Sequence, residues 1–300
     1  MLDTIPFDEF ITLGQQIAED GLPNDKRFTG FGFMQVCRNP RAAMKYLKSC
    51  GVKKLGQGSS RAAYVLSADD SSEISRAAGP CVLKIATNAL KGAAQNKAEA
   101  AMLDKYQRKM ECFPKLYACD RQNWSYILAE LGTPLNKTPA KFKNQWIQPL
   151  RDFFSDYLEE RDAFPSVDHP VIDEDEFEIK SGDWLPFTVR KIAEVLAGEY
   201  ANVDDDELVW LQGLARSMAK SQIPIVRGIG AVLKYAERHG SGEVSLGDLD
   251  APDNWAFVRR RGDVMLIPID WGASKEVMQK YYVKESITLE QLKKIIFDRK

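Results

Sequence analysis

Lys54-Leu55-Gly56-Gln57-Gly58-Ser59-Ser60-Arg61-Ala62-Ala63-Tyr64-Val65, followed by Cys81-Val82-Leu83-Lys84-Ile85-Ala86, is the stretch that decides the fold. Two apolar runs flank a Gly-rich turn, and a third run contains a single lysine. Glycine carries no Cβ, so a turn built on Gly56 and Gly58 lets backbone amides come close to an anionic group. A lysine inside an otherwise buried strand needs a counter-charge, and a phosphate supplies one. The pattern reads as the front end of an ATP site, and the rest of the chain can be searched for the partners such a site demands.

Working outward, residues 52–66 and 80–87 read as β-strands and Ser67–Gly79 as a polar loop between them. Upstream, residues 1–50 read as helical. Phe7-Asp8-Glu9-Phe10-Ile11 opens one amphipathic segment. Pro40-Arg41-Ala42-Ala43-Met44-Lys45-Tyr46-Leu47 opens another, with Pro40 suited to a first turn and Gly51 to a stop. Downstream, 93–109 has strong helix formers and an apolar stripe at Ala94, Ala98, Ala101, Met102 and Lys105–Tyr106. Ser125–Leu131 reads as a strand entering a Gly132–Pro134 turn. Helices are expected at 141–161, 187–200, 206–238 and 288–298, and two strands at Ala256–Val258 and Val264–Ile269. The order is a β-rich part to about residue 131 and then a largely helical part with a late hairpin, an α+β pattern.

Composition narrows the function classes. With 44% hydrophobic and 28% charged residues in a chain of 300, the sequence is that of an ordinary globular protein and not of a disordered one. A net charge of −2 gives no whole-chain argument for nucleic acid, and Arg259-Arg260-Arg261 beside Gly262 reads as a solvated hairpin tip. Five cysteines without a C-x-x-C pair read as buried free thiols in a reducing cytoplasm. Two histidines, His169 and His239, make a zinc centre or a Ser-His-Asp triad a poor fit. No apolar run approaches the ~20 residues that span a bilayer, and the N-terminus lacks the pattern of a signal peptide. The acidic stretch 168–183 reads as a solvated linker, with a docking surface for a basic partner as the sharper alternative. Asp204-Asp205-Asp206-Glu207 reads as an acid-rich helix start.

A phosphoryl-transfer site needs a loop over the phosphates, a cation held by a carboxylate, metal ligands, and a group at the attacking oxygen. Gly56, Gly58 and Ser59 supply the loop. Lys84 is the cation, and Glu99 on the next helix, in Gln95-Asn96-Lys97-Ala98-Glu99, is the carboxylate. Glu130 and Leu131 would form the edge segment whose backbone meets the adenine. Asp248 and Asn254 lie in Leu246-Gly247-Asp248-Leu249-Asp250-Ala251-Pro252-Asp253-Asn254-Trp255, and Asp270 in Ile269-Asp270-Trp271-Gly272.

The last two segments resemble the catalytic loop (H-x-D-L-x-x-x-N) and the D-F-G turn of the protein-kinase-like superfamily. Details at Leu55–Tyr64, Val82–Ala86 and Gln95–Glu99 are similar to those of small phage-encoded serine/threonine kinase-like proteins. The resemblance covers roughly 52–131 well and 240–275 moderately. It implies a bilobal kinase-like fold with an N-terminal helical extension (1–50), a β-rich N-lobe (51–131), and a reduced helical C-lobe (132–300) with an acidic insert near 165–183. It also implies ATP and Mg²⁺ as cofactors and transfer of the γ-phosphate to protein Ser/Thr hydroxyls in a host cytoplasm, with no membrane or nucleic-acid partner. Asp248 would orient the attacking hydroxyl, and Asp270 would bind Mg²⁺ together with Asn254.

Several departures leave alternatives open. Arg61 stands at the third glycine position and Leu246 at the histidine position. Asn254 falls six residues after Asp248, where the family has five, so Asp253 competes for the metal role. No A-P-E sequence follows Gly272. An inactive pseudokinase that docks a host protein, or a small-molecule kinase of the aminoglycoside or choline type, are the competing readings.

Overall fold

The structure, a computed structural model, describes residues 39–49, 52–66, 81–159, 184–199, 203, 205–240 and 246–282. The segment expected at 7–11, the loop after Leu66, the acidic stretch at 168–183, the helix expected at 288–298, and Cys37 and Cys50 lie outside the described residues.

Strand alternation sets the architecture. Five antiparallel strands, β1 (Lys54–Gln57), β2 (Arg61–Leu66), β3 (Cys81–Ala86), β4 (Leu116–Cys119) and β5 (Tyr126–Glu130), form one sheet in the order β1-β2-β3-β5-β4. Successive side chains on a strand point to opposite faces. Tyr64 and Leu66 of β2, Leu83 and Ile85 of β3, and Tyr126 and Leu128 of β5 therefore gather on one face. There they meet Ala43 and Leu47 of α1 (Pro40–Ser49). Asn39 caps α1 by accepting the Ala42 amide on Oδ1 at 3.2 Å. The intervening residues, Val82 and Lys84 among them, turn to the other face, where α2 (Lys91–Tyr106) packs.

Asn88 starts α2 by accepting the amides of Leu90 and Lys91 on Oδ1, at 3.0 and 2.9 Å. Of the apolar stripe expected along this helix, Met102 and Tyr106 are buried, and the rest is corrected. Its buried face carries Gln95, Asn96, Glu99, Met102, Leu103 and Tyr106, while Ala101 is exposed. Small residues on a strong helix former carry little information about which side is covered. Glu99 faces inward because the sheet offers it two cations, while Gln95 meets the Ser60 and Tyr282 hydroxyls and Asn96 donates to the Trp124 carbonyl.

A second antiparallel sheet, β6 (Thr133–Pro134), β7 (Trp255–Arg260) and β8 (Asp263–Pro268), follows the order β6-β7-β8. Its β7–β8 turn places Arg261 and Gly262 at φ 53° and 92°, as a two-residue hairpin turn of the primed type requires. Helices α3 (Ala140–Glu159), α4 (Trp184–Leu196), α5 (Asp205–Lys220) and α6 (Pro224–His239) complete a core with this sheet, centred on Leu214, Val226, Leu233, Trp255 and Trp271. A short helix, α7 (Lys275–Tyr281), is capped by the Ser274 hydroxyl accepting from the Val277 amide at 3.2 Å. The chain is thus an α+β protein, as expected. Strands β4 and β6 had no counterpart in the sequence reading: one is half-buried without clean alternation, and the other is two residues long.

The single helix expected over 206–238 is two helices. Pro224 has no amide to donate and occupies the first turn of α6, so the chain turns back at residues 221–223. Gly230 lets the two helices approach: a Cβ there would lie 2.2 Å from the Ala219 amide nitrogen. Cys81, Cys112 and Cys119 are buried and form no disulfide. Burial, with the Glu130 charge adding to it, pushes the Cys81 thiol up to about 12.

Gly230→Ala must force α5 and α6 apart at a backbone contact. The expected cost is about 1–3 kcal/mol, read as a lowered Tm in thermal unfolding. An unchanged Tm would contradict the close crossing.

Candidate functional site

A cavity of about 480 Å³ opens between the two sheets. The β1–β2 turn, Lys84 and Val82 bound it on one side, and Asp253, Asn254 and Asp270 on the other. Its size is in the range of small-molecule sites. The turn follows directly from the hairpin: the Gly58 amide donates to the Arg61 carbonyl at 2.9 Å, closing β1 onto β2. A Cβ on Gly56 or Gly58 would meet nothing within 4 Å, so the floor beside the turn is open. Ser59 accepts from Lys91 Nζ at 3.1 Å.

The wall of the cavity is a chain of alternating charges. Lys84 on β3 donates to Glu99 Oε1 at 2.5 Å and to the Ile269 carbonyl at 2.6 Å. Glu99 is fully buried, and its second oxygen, Oε2, accepts from Arg61 Nη1 at 2.5 Å. Arg61 Nη2 then reaches Asp270 Oδ1, also at 2.5 Å, and the Gly272 amide donates to the same oxygen at 3.1 Å. The strand register explains why two cations meet one carboxylate. Ala63 pairs with Lys84 and Arg61 with Ala86, so Arg61 and Lys84 are diagonal neighbours on one face of the sheet. Such a pair is tolerated only with an anion between them, and α2 delivers Glu99 to that point. Removing Glu99 alone would leave Lys84 with only the Ile269 carbonyl and Arg61 with Asp270 as its only carboxylate, a loss of about 3–5 kcal/mol by the usual behaviour of broken buried pairs.

Burial by itself would lower the Arg61 pKa, but the charges of Asp270 and Glu99 and their hydrogen bonds raise it above its ordinary value. At Asp270 burial would raise the pKa. The Arg61 and Lys84 charges, the Arg61 hydrogen bond and the Gly272 amide outweigh it and hold the carboxyl well below the usual carboxylate range. Its side chain keeps 30% of its surface exposed, so solvent reaches part of it.

The backbone around Asp270 is fixed by its neighbours. Trp271 is buried, donates Nε1–H to the Pro268 carbonyl at 3.0 Å, stacks on Phe113 at 4.2 Å between centroids, and meets Tyr235 edge-on at 5.5 Å. The Ile269 amide donates to the Asn254 carbonyl at 2.7 Å, which brings the 252–254 turn beside Asp270. Asp253 and Asn254 both line the cavity. Asp248 lies in the short turn Leu246–Asp250, which Trp255 anchors by donating Nε1–H to the Leu249 carbonyl at 2.7 Å; the Asp248 side chain is outside the described part.

Glu130 differs from expectation. It borders the cavity with Leu131, but its amide already donates to the Lys115 carbonyl at 2.8 Å. Its carboxylate is held by Arg260, Nε to Oε1 at 3.0 Å and Nη2 to Oε2 at 2.5 Å. Arg260, read from sequence as part of a solvated tip, is a half-buried tie between the sheets, and it also donates to the Glu111 and Phe113 carbonyls at 2.6 and 2.8 Å. Sequence reasoning also missed Tyr282, whose hydroxyl accepts from Gln95 Nε2 at 2.8 Å at the cavity edge. Arg61 was legible only as a break in a glycine pattern. Its strand position, in register with the Lys84 face, was the signal for its role.

Asp270, Asp253 and Asn254 share the cavity, but as placed they do not fit a divalent cation: the cation on Asp270 is Arg61. Among the described residues no group of three or more His, Cys, Asp or Glu side chains is placed to hold a metal ion. No family model matches the chain, and no curated protein matches it. Among the described residues no helix is long and apolar enough to cross a membrane.

Because Asp270 is held below the carboxylate range, its contribution to stability is complete above its unfolded pKa of about 3.9 and fades as pH falls below it. The Tm difference between wild type and Asp270→Asn is expected to be constant from pH 8 to pH 5 and to shrink below about pH 4. A difference that already shrinks between pH 7 and pH 5 would contradict the ion pair.

Proposed function

We propose that the chain is an ATP-dependent phosphotransferase of bilobal, protein-kinase-like build that phosphorylates protein Ser/Thr hydroxyls. The observation that carries this reading is the Lys84–Glu99 pair. A strand lysine is held at 2.5 Å by a fully buried helix glutamate at the wall of a cavity that also contains a Gly-rich hairpin turn and Asp270. A carboxylate in that position keeps the ammonium extended toward the cavity, where it can meet a phosphate. In this reading the five-stranded sheet with α2 would serve as the N-lobe, and the hairpin β7–β8 with the helices as the C-lobe.

Within this reading the Gly56–Ser59 turn covers the phosphates and Lys84 binds them. The turn bearing Asp248 lies next to the Asp253–Asn254 turn, and its aspartate is assigned to orient the acceptor hydroxyl. Mg²⁺ remains part of the proposal as counter-ion of the phosphates, with Asp270 the residue it would need and Arg61 the residue in its way. The Arg61–Asp270 contact favours one second reading, a nucleotide-holding module without transfer.

Calorimetric titration with ATP, with Mg²⁺ and with EDTA, tests the cavity. Wild type is expected to bind, and Lys84→Met to lose about 10–100-fold in affinity through loss of a charge-assisted contact. A folded wild type that binds ATP in neither condition overturns the reading. For transfer, labelled phosphate from ATP should appear on proteins of a host extract with wild type and be absent with Asp248→Asn, while ATP binding is retained. Binding without transfer by wild type would select the second reading.

A further inference from the structure

The charge chain Lys84–Glu99–Arg61–Asp270 contains two cations and two carboxylates. It is neutral as it stands, with no metal required. The side chains of Arg61 and Lys84 are only 8% and 10% exposed. A divalent cation brought onto Asp270 would therefore add positive charge beside two poorly hydrated cations, where repulsion is weakly screened. Arg61 and the metal are alternatives for one carboxylate.

The geometry holds Arg61 in that place. Its guanidinium bridges two carboxylates, Glu99 Oε2 and Asp270 Oδ1, at 2.5 Å each. Gly272 makes room for it: a Cβ at this position would lie 3.1 Å from both Nη1 and Nη2, and 3.1 Å from the Gln95 carbonyl. The Asp270 side chain keeps 30% of its surface exposed and lines the cavity, so a cation that displaced Arg61 would reach the carboxylate from there. Arg61 stands at the foot of the Gly-rich turn and itself lines the cavity, so a guanidinium released from Asp270 has the phosphate-facing space to enter.

We propose that Arg61 is a built-in competitor for the divalent cation at Asp270, so that metal binding at this carboxylate requires Arg61 to leave it. The inference rests on the phosphotransferase reading only in taking Asp270 as the residue that a metal would need. It assigns Arg61 a regulatory role: the site without nucleotide is closed to metal, and an arriving anionic phosphate gives the guanidinium a second partner.

The test uses Mn²⁺ alone with the full chain and no nucleotide, free Mn²⁺ being read by electron paramagnetic resonance. Wild type is expected to bind weakly. Arg61→Gln should bind at least 10-fold more tightly, and Asp270→Asn added to Arg61→Gln should remove the gain. Gly272→Ala keeps every charge but crowds the guanidinium, and it should shift affinity in the same direction. Equal Mn²⁺ affinity of wild type and Arg61→Gln, or a gain that survives loss of Asp270, overturns the proposal. Should Arg61→Gln not fold, as judged by its melt, equal affinity of Gly272→Ala and wild type overturns it instead. Because no ATP is present, failure here is distinct from failure of the phosphotransferase reading, which shows as absent ATP binding by wild type.

Discussion

One buried carboxylate organises this molecule. Glu99 has no solvent contact and holds two cations, one on each of its oxygens. Isolated burial of any of these charges would be strongly unfavourable, so each constrains the others. Lys84 and Arg61 can share a face of adjacent strands because Glu99 stands between them, and Glu99 can be buried because both are there. The arrangement locks α2 to the sheet in one rotation about its axis, with Gln95 and Asn96 brought inward beside it.

From that point the order propagates across the cavity. Arg61 ties the first sheet to Asp270, and Lys84 ties it to the Ile269 carbonyl. The 269–272 segment is in turn held by the Trp271 stack on Phe113 and Tyr235. At the far side of the cavity Arg260 makes a second crossing, pairing with Glu130 through two hydrogen bonds. The cavity is thus bounded by two polar ties between sheets that also share one apolar core, in which Val82 and Ala129 of the first sheet join Trp255, Phe257 and Leu266 of the second.

Much of the architecture was legible in local pattern. The strands β2, β3, β5, β7 and β8 follow from apolar and β-branched runs between turn residues, α1 from helix formers behind Pro40, and α2 from the helix formers of 93–109. Lys84 and Glu99 could be paired from sequence because a strand lysine followed by a helix brings them together over 15 residues. Errors arose where local pattern is silent. Alanines on both sides of α2 hid its buried polar face. The break at Pro224 was concealed by continuous helix-forming sequence on both sides. Strands β4 and β6 are too short to carry a period.

The sequence by itself determined the α+β class and the Gly-rich hairpin, because periodicity and turn chemistry act over a few residues. Only the tertiary structure decided how their charges are spent. Arg61 and Asp270 lie 209 residues apart, and Glu130 and Arg260 lie 130 apart. No local rule relates such positions. Their pairing depends on strand register within the first sheet and on the packing that sets the second sheet across from it. The same side chains in another register would leave Asp270 open and Arg61 in solvent.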